Sequence, residues 1–469
     1  MSTPAPPIPP AAPPPADPHQ PLPRRLAREA AATARLAGPI VGGQLAFTGL
    51  NFIDTVMAGE LGPAALGAVA VGASVFSGLT FLPFGTLLAV PPFVAEMDHG
   101  GRRREVAPFA RQALWVAWGM AAAVAVLLLS ARPALEALGI QPEIVPTAAR
   151  YLGALVWGLP FWALYLVLRF TSEGLGASRP VLYFGLLGLP VNVLGNWLLM
   201  YGRWGLPELG AVGCGFATAV VWLSQAVAML VYVARHPRYR DLRLVARIER
   251  PDRRTISRLL RVGLPAGTMV FVEGSIFAAV ALIMGTLGTR VVAAHQVAIN
   301  FAAITFMVPL GLSMAISVRV GQAVGRRDPA AVRFAAGVGI AMALACQVVS
   351  ASVMAFAPRA VAGLYTDDPE VIALAVDLLL LAAVFQLSDG VQASSAGALR
   401  GIKDTRVPMA IVVVAYWLVG FPLGWALAFP AGLGARGLWI GLIAGLTAAA
   451  ALLAVRFHRV SGRPERWGG

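Results

Sequence analysis

The sequence predicts an all-α polytopic membrane protein with twelve transmembrane helices in two pseudo-symmetric bundles of six. Apolar residues make up 58% of the 469-residue chain, and the mean hydropathy is +0.73. Charged residues are only 13%, against about 25% in soluble domains. Long apolar runs recur along the chain, and the first six resemble the last six. A soluble core could not bury this much apolar surface, so the runs are predicted to cross a bilayer.

The chain is predicted to begin with a disordered cytoplasmic tail over residues 1–34. Its first 23 residues are rich in Pro and Ala and lack the basic start and apolar centre of a signal peptide. Such a composition cannot bury enough apolar surface to offset the entropy lost on ordering. Four arginines stand between this stretch and the first apolar run.

Twelve apolar runs follow, most of them close to the roughly 20 residues that a helix needs to cross the hydrocarbon. The predicted spans are 36–57, 66–95, 108–130, 148–170, 181–201, 211–234, 262–285, 292–318, 334–357, 373–398, 409–429 and 438–455. They form an N-terminal lobe over 35–234 and a C-terminal lobe over 262–456. A basic connector, 235–261, joins the lobes, and a short tail, 457–469, ends the chain.

The basic residues predict the orientation in the membrane. With twelve spans, 31 of the 37 Lys and Arg residues fall on the side that carries both chain ends. This asymmetry follows the positive-inside rule and predicts that both termini are cytoplasmic. The formal charge of +14 is therefore a topology signal. No basic module interleaved with aromatic residues suggests a nucleic-acid partner.

One constant shift in numbering, which carries Arg35 onto Arg261, superimposes the first half of the chain on the second. The same shift, called the repeat shift below, also matches Pro39 with Pro265, Gly62 with Gly288, Pro83 with Pro309, and Gly85 with Gly311. Because each copy has an even number of spans, both copies enter the membrane from the same side. The lobes are therefore predicted to be related by an axis along the membrane normal, as in transporters built from parallel repeats.

Three acids lie deep within predicted spans: Asp54, Glu273 and Asp389. An ionised carboxylate at the centre of the bilayer costs about 3 kcal/mol on insertion scales, so such residues indicate function by default. The plain alternatives are a neutral, hydrogen-bonded core acid for Glu273 and snorkelling to the interface for Asp54. The repeat shift pairs neither Asp54 nor Glu273 with a second acid, so the lobes are alike in build but not in chemistry.

Polar residues near these acids are candidates for a binding site. Asn192 and Asn196 share one helix face. They could complete a cation site with Asp54 or simply form hydrogen bonds between helices. A histidine in an apolar helix, such as His295, more often has a packing role than a binding role. The candidates for lining a substrate cavity are Gln44, Asn51, His295, Gln296, Asn300, Gln386 and Gln392.

Several motifs together resemble the multidrug and toxic compound extrusion (MATE) transporters, in particular their NorM-type bacterial branch. The motifs are FIDTVMAGELGPAALGAVAVG, EGLGASRP, PVNVLGNW, LPELGAVGCG, VAAHQVAINF and LRGIKDTRVP. The resemblance runs from roughly residue 35 to 455. It implies the MATE fold, in which two six-helix bundles surround a central cavity, in a multi-pass protein of the bacterial inner membrane.

The resemblance also implies a function and a set of site residues. The function is export of small cationic or amphiphilic compounds in exchange for Na⁺ or H⁺, by a monomer that is not an enzyme and holds no cofactor besides the coupling ion. Glu273 and Asp389 match the acidic cation site of the family's C-terminal lobe. The polar cluster of the N-terminal lobe is matched by Asp54, Asn192, Asn196 and Thr218.

The sequence leaves two questions open. Either Na⁺ or H⁺ can neutralise a carboxylate, so the coupling ion is undetermined. Two other functions remain as alternatives: a flippase for a lipid-linked glycan, which would need a strongly cationic cavity, and an intramembrane transferase, which would need clustered catalytic residues. The five histidines are scattered along the chain, and this argues against the transferase.

Overall fold

The structure is a computed structural model that describes residues 21–244 and 249–467. All regular secondary structure in these ranges is helical. Eleven helical segments are long and apolar enough to span a membrane. A twelfth span is a pair of helices, Val145–Val156 and Leu159–Gly174, that bend by 50° at a short break. The predicted number of spans is confirmed.

The first lobe contains nine helices. Its second span is divided into α2 and α3, and its fourth span into α6 and α7. The helices are α1 (Leu22–Glu60), α2 (Pro63–Leu87), α3 (Val90–His99), α4 (Val106–Leu129), α5 (Ala131–Ala137), α6 (Val145–Val156), α7 (Leu159–Gly174), α8 (Arg179–Leu199) and α9 (Ala211–Arg235).

The second lobe also has six spans, but its second and fourth spans are single unbroken helices. Its fifth span, the eleventh of the chain, contains a π-helical segment, 414–420, between two α-helices. The helices are α10 (Arg253–Thr286), α11 (Thr289–Gly325), α12 (Pro329–Phe356), α13 (Pro358–Gly363), α14 (Pro369–Gly401), α15 (Arg406–Val413), α16 (Phe421–Ala428) and α17 (Ala435–Ser461).

The turns between helices confirm the internal repeat. Gly62 and Gly288, which the repeat shift pairs, link the first two spans of each lobe with φ of +105° and +118°. Gly210 and Gly434, which precede the last span of each lobe, have φ of +56° and +54°. L-residues with side chains rarely adopt such angles, so these two pairs of positions favour glycine. The same backbone turns therefore recur in both halves.

Three predicted boundaries are wrong because helices extend beyond the apolar runs. Helix α1 begins at Leu22, so the predicted disordered tail cannot reach residue 34; its residues 1–20 lie outside the described ranges. Helix α10 begins at Arg253 within the predicted connector, and the Asp252 carboxylate caps its first turn. Helix α17 continues past residue 456 to Ser461. Polar turns at the ends of membrane helices project from the bilayer and leave no hydropathy signal.

Both described chain ends lie on the same side of the bundle. The Arg25 guanidinium lies over the Phe334 ring, 5.0 Å from its centroid. One residue away, Arg333 Nε donates to Ser461 Oγ at 3.2 Å. We call this side the terminal side and the other the opposite side. Which of them faces the cytoplasm remains a prediction from the basic residues.

The lobes pack closely against each other in the terminal half of the bundle, where glycines bring helix backbones together. A Cβ atom on Gly267 of α10 would lie 2.5 Å from the Leu82 carbonyl oxygen of α2. A Cβ atom on Gly325 of α11 would lie 2.5 Å from the Glu96 carbonyl oxygen of α3. Gly274, near the middle of α10, packs on the Phe81 ring of α2. Small residues permit such close helix contacts in membranes.

Charged side chains close the same half of the interface. Arg319 of α11 donates to both carboxylate oxygens of Glu29 in α1, from Nε at 2.9 Å and from Nη2 at 2.7 Å. Lys403 forms an ion pair with Glu96 of α3. Among the described residues, every hydrogen bond and ion pair that links one lobe directly to the other lies on the terminal side. The structure is therefore closed there.

Candidate functional site

The N-terminal lobe holds a compact polar cluster around Asp54. Asp54 Oδ1 accepts from Asn192 Nδ2 at 2.9 Å and from Asn196 Nδ2 at 2.7 Å. Thr218 Oγ1 lies 3.4 Å from Asp54 Oδ2. All but Thr218 are buried in the protein. The structure thus brings together the four residues predicted for this lobe, from α1, α8 and α9.

The two amide donors fit an ionised Asp54, because a carboxylate is an acceptor at both oxygens. They come from one face of α8, where residues four apart lie above one another. Cys214 contacts the same carboxylate from α9. This residue is not among the predicted site residues. Its place on the same face as Thr218, one turn away, is the signal that could have identified it.

The C-terminal lobe holds the other two acids. Glu273 lies half-buried in α10, and Asp389 is buried in α14. The two carboxylates are close enough to interact electrostatically. Within the described parts of the chain, neither carboxylate has a hydrogen-bond or ion-pair partner. Among the described residues, this site therefore holds two acids and no cationic side chain to balance them.

An aromatic cluster lies one helical turn from these acids, towards the opposite side. Phe277 follows Glu273 by four residues, and Phe385 precedes Asp389 by four. Their ring centroids are 6.0 Å apart, and Phe385 lies 5.8 Å from Trp439. The His295 ring packs edge-on against Trp439 at 5.9 Å. These rings separate the acids from the opposite end of the C-terminal lobe.

The predicted cavity residues divide into buried and exposed groups. The His295 side chain is 2% exposed and packs in the aromatic cluster. Gln386 Nε2 donates to the Ala302 carbonyl oxygen and to Thr305 Oγ1, at 3.1 and 2.5 Å. Gln44 Oε1 accepts from Arg169 Nη2 at 2.8 Å.

Gln392 is also buried, and its Oε1 has no hydrogen-bond partner among the described residues. Asn51, Gln296 and Asn300 are exposed, on the halves of α1 and α11 nearer the opposite side. These last three are the ones that remain available to a molecule from outside the protein.

Another buried acid is absent from the predicted site residues, because the predicted fourth span ended at residue 170. Glu173 of α7 is fully buried, and its Oε1 accepts from Arg169 Nε at 2.8 Å. The spacing of four residues on one helix was the available signal. Unlike Glu273 and Asp389, this acid already has a cation beside it, so it is a structural pair.

The donor sets indicate which ligands the two clusters can hold. In the described ranges, no three His, Cys, Asp or Glu side chains converge as a metal site would require. One lobe offers a single carboxylate with amide and hydroxyl groups, and the other offers two carboxylates. Such sparse oxygen sets suit a proton or a singly charged cation better than a tightly held divalent metal.

Two parallel six-helix repeats with uncompensated acids inside them define a secondary transporter fold. The acids lie in spans of both lobes, and the polar contacts between the lobes that the described residues make lie on one side. The chain belongs to the MatE family: the family model matches residues 39–198 and again 265–426. The two matches begin at Pro39 and Pro265, which the repeat shift also pairs.

Alignments with named relatives extend over almost the whole chain. The chain is 44% identical over 439 residues to a probable multidrug resistance protein NorM of Xanthomonas campestris pv. campestris, covering 94% of this chain and 96% of the relative. It is 44% identical over 444 residues to the multidrug resistance protein PmpM of Pseudomonas aeruginosa, covering 94% and 93% of the two chains.

Solved structures agree in fold. The eukaryotic MATE transporter AtDTX14 superimposes with a TM-score of 0.86 at 20% identity, over 94% of this chain and 98% of that one. A MATE transporter crystallised in a bent conformation gives 0.85 at 19% identity, over 94% and 96%. The predicted fold class is confirmed.

Proposed function

We propose that this protein is a multidrug efflux transporter that exports small cationic or amphiphilic molecules in exchange for Na⁺ or H⁺. The observation that carries the proposal is the pair Glu273 and Asp389, which lies in the C-terminal lobe without a positive partner in the part of the chain that the structure describes. The names of its relatives, which are multidrug resistance proteins, support the same function.

The chemistry of exchange follows from the uncompensated charge. A carboxylate in a dry site requires a proton, a metal cation or an organic cation beside it. If the drug and the coupling ion neutralise the same pair of acids, only one of them binds at a time. Binding of the ion from outside then displaces the drug, and release of the ion into the cytoplasm readies the site for the next drug. We assign a parallel role to Asp54 in the N-terminal lobe, where amide donors already surround the carboxylate.

Orientation follows from the positive-inside rule, which assigns the terminal side to the cytoplasm. The structure, closed on that side, then represents the outward-facing state. To load a drug from the cytoplasm, the lobes must rock apart there. The contacts that must break include the Glu29–Arg319 pair and the Lys403–Glu96 pair. Both acid clusters lie within one chain, so we expect a monomer to be active.

The proposal is tested in vesicles that contain the purified protein and a fluorescent organic cation. Na⁺ and pH gradients are imposed separately, and fluorescence reports cation movement. We expect one gradient to drive accumulation and to identify the coupling ion. Equal rates with and without either gradient, and equal rates in protein-free vesicles, would exclude the proposed exchange. Asp377→Asn, a partly exposed position elsewhere on α14 that pairs with Arg436, provides a charge-loss control.

A further inference from the structure

The eleventh span contains a π-helical segment beside the acid pair of the C-terminal lobe. Residues 414–420 are wound as a π-helix between α15 and α16, and Tyr416 lies within it. Long π-helices are rare, and π-helical turns in α-helices occur often at functional sites. The segment therefore calls for an explanation beyond membrane crossing. Gly420, its last residue, packs against the backbone of α17 at Gly441 and Gly445.

The Tyr416 hydroxyl lacks a partner. The side chain is 4% exposed, and its buried oxygen makes no hydrogen bond to any described residue. A buried tyrosine hydroxyl usually finds a partner, and an unsatisfied polar group destabilises a fold by about 1–3 kcal/mol. A buried hydroxyl without a hydrogen-bond partner therefore suggests that the group binds a ligand, or that it forms its hydrogen bond in another state of the protein.

The groups that could satisfy the hydroxyl are nearby. Tyr416 interacts electrostatically with both Glu273 and Asp389, which also lack partners. A cavity of about 10 Å³ borders Tyr416, Phe277 and Phe385. This volume is near the minimum needed for one water molecule. Phe277 and Phe385, which also line this cavity, each lie one helical turn from an acid, so the cavity borders the acid pair on the side of Tyr416.

We propose that Tyr416 is a third member of the C-terminal coupling site, in contact with the bound ion. Its hydroxyl is unsatisfied when the site is empty, and its oxygen faces the coupling ion when the site is loaded. A phenolic oxygen can make this contact because it is an acceptor as well as a donor. The π-helix holds the ring at this position. The inference rests on the proposed exchange function and adds a residue to its ion site.

The test compares Tyr416→Phe with Tyr183→Phe in the vesicle assay. Tyr183 is an exposed tyrosine of the other lobe, so its hydroxyl is a matched control. We expect Tyr416→Phe to raise the coupling-ion concentration for half-maximal exchange about tenfold, as fits the loss of one hydrogen bond to a charged group. Tyr183→Phe is expected to leave this concentration unchanged.

A second readout separates an ion contact from a packing role. Without the coupling ion, Tyr416→Phe should unfold at the same temperature as the wild type or higher, because it removes an unsatisfied hydroxyl. Added ion should then raise the unfolding temperature of the variant less than that of the wild type. An unchanged ion dependence, or a variant that is less stable without the ion, would overturn the assignment. Absence of ion-driven exchange in the wild type would instead overturn the proposed function.

Discussion

Phe93 and Arg319 occupy equivalent positions in the two repeats, and each contacts the first helix of the other lobe. Arg319 pairs with Glu29 of α1. The Phe93 ring lies beneath the Arg258 guanidinium of α10, 5.1 Å from centroid to carbon, and beneath the Lys403 ammonium at 4.5 Å. The same interlobe contact is thus an ion pair in one half of the interface and a cation–π contact in the other.

The first prediction concerns the ion pair. Glu29 and Arg319 are each 8% exposed, and breaking a buried pair by removing one partner costs about 3–5 kcal/mol. Arg319→Gln should therefore shift the protein towards a state that is open on the terminal side. Spin labels on cysteines at Arg104 and Ala330, with Cys214 and Cys346 replaced by serine, report the distance between the lobes there. We expect a longer distance population in Arg319→Gln.

A charge exchange is the control for this pair. The double variant Glu29→Arg with Arg319→Glu restores opposite charges and should recover the shorter distance at least in part. If Arg319→Gln leaves the distance distribution as it is in the wild type, the pair does not hold the lobes together.

The second prediction concerns the close approach of the helices at Gly267. A Cβ atom there would meet the Leu82 carbonyl oxygen at 2.5 Å and the Thr86 backbone nitrogen at 3.0 Å. Backbone atoms cannot move far to make room for a methyl group, and overpacking of this kind destabilises a folded protein by about 1–3 kcal/mol. Gly267→Ala should lengthen the same interlobe distance and slow exchange several-fold. Gly285→Ala, on the same helix but with no atom within 4 Å of the added carbon, should behave as the wild type. Similar behaviour of the two variants would contradict the prediction.

The third prediction concerns pH. Burial lowers the pKa of Lys403 from its ordinary value of 10.5 to about 7. When the lobes part, the ammonium regains water and its pKa returns towards 10.5. Between these values the open state binds more protons, so rising pH favours the state closed on the terminal side. Glu96 keeps a partner throughout, because Arg102 Nη2 lies 2.6 Å from its carboxylate.

The measurement is the same interlobe distance, recorded from pH 6 to pH 9. We expect the open population to fall as pH rises in the wild type and to lose this dependence in Lys403→Gln. An open population that grows with pH, or a dependence retained in Lys403→Gln, would show that another group is responsible.

The fourth prediction concerns the acid pair. Glu273→Gln and Asp389→Asn each remove a charge that has no partner among the described residues, so the folded state should not lose stability. Exchange should fall at least tenfold, because the site no longer requires a cation. Vesicle assays and thermal unfolding, with Asp377→Asn alongside, separate these effects. Undiminished exchange in both variants would remove the acids from the mechanism.

The fifth prediction concerns the N-terminal cluster. Hydrogen bonds to a charged group contribute about 1.5–3 kcal/mol each. A double-mutant cycle of Asp54→Asn and Asn196→Ala should therefore give a coupling energy above about 0.5 kcal/mol in unfolding experiments, as expected for residues in direct contact. The Asp54→Asn and Asn51→Ala cycle is the control, because Asn51 is exposed and makes no side-chain hydrogen bond with Asp54. Additive effects in the first cycle would show that the amide donors do not stabilise the carboxylate.

Much of the fold could be predicted from the sequence, because crossing a bilayer imposes strong rules on composition. Twelve runs of apolar residues, the position of the arginines and the constant shift between the repeats were sufficient for the number of spans and their grouping. The helix ends could not be predicted as well. Leu22 and Arg253 begin helices in polar sequence, and these turns are stabilised by the other lobe rather than by lipid.

The site was predicted where its residues are rare in membrane spans, as at Asp54, Glu273 and Asp389. The roles of Gln44 and Glu173 depend on Arg169, and a partner 125 residues from Gln44 leaves no trace in local sequence. Tyr416 was missed for a similar reason. Tyrosine is common in apolar helices, and the residues on either side of Tyr416 do not indicate that this part of the helix is a π-helix.

The contact between Glu29 and Arg319 joins residues 290 positions apart, and this bears on how the chain is assembled. Ribosomes deliver the first six spans long before α11 exists, so the beginning of α1 must wait for its docking site. Until then, its acid and the neighbouring arginine at position 25 remain in water at the membrane surface. Docking of α1 is therefore complete only when Glu29 meets a residue that is synthesised 290 positions later.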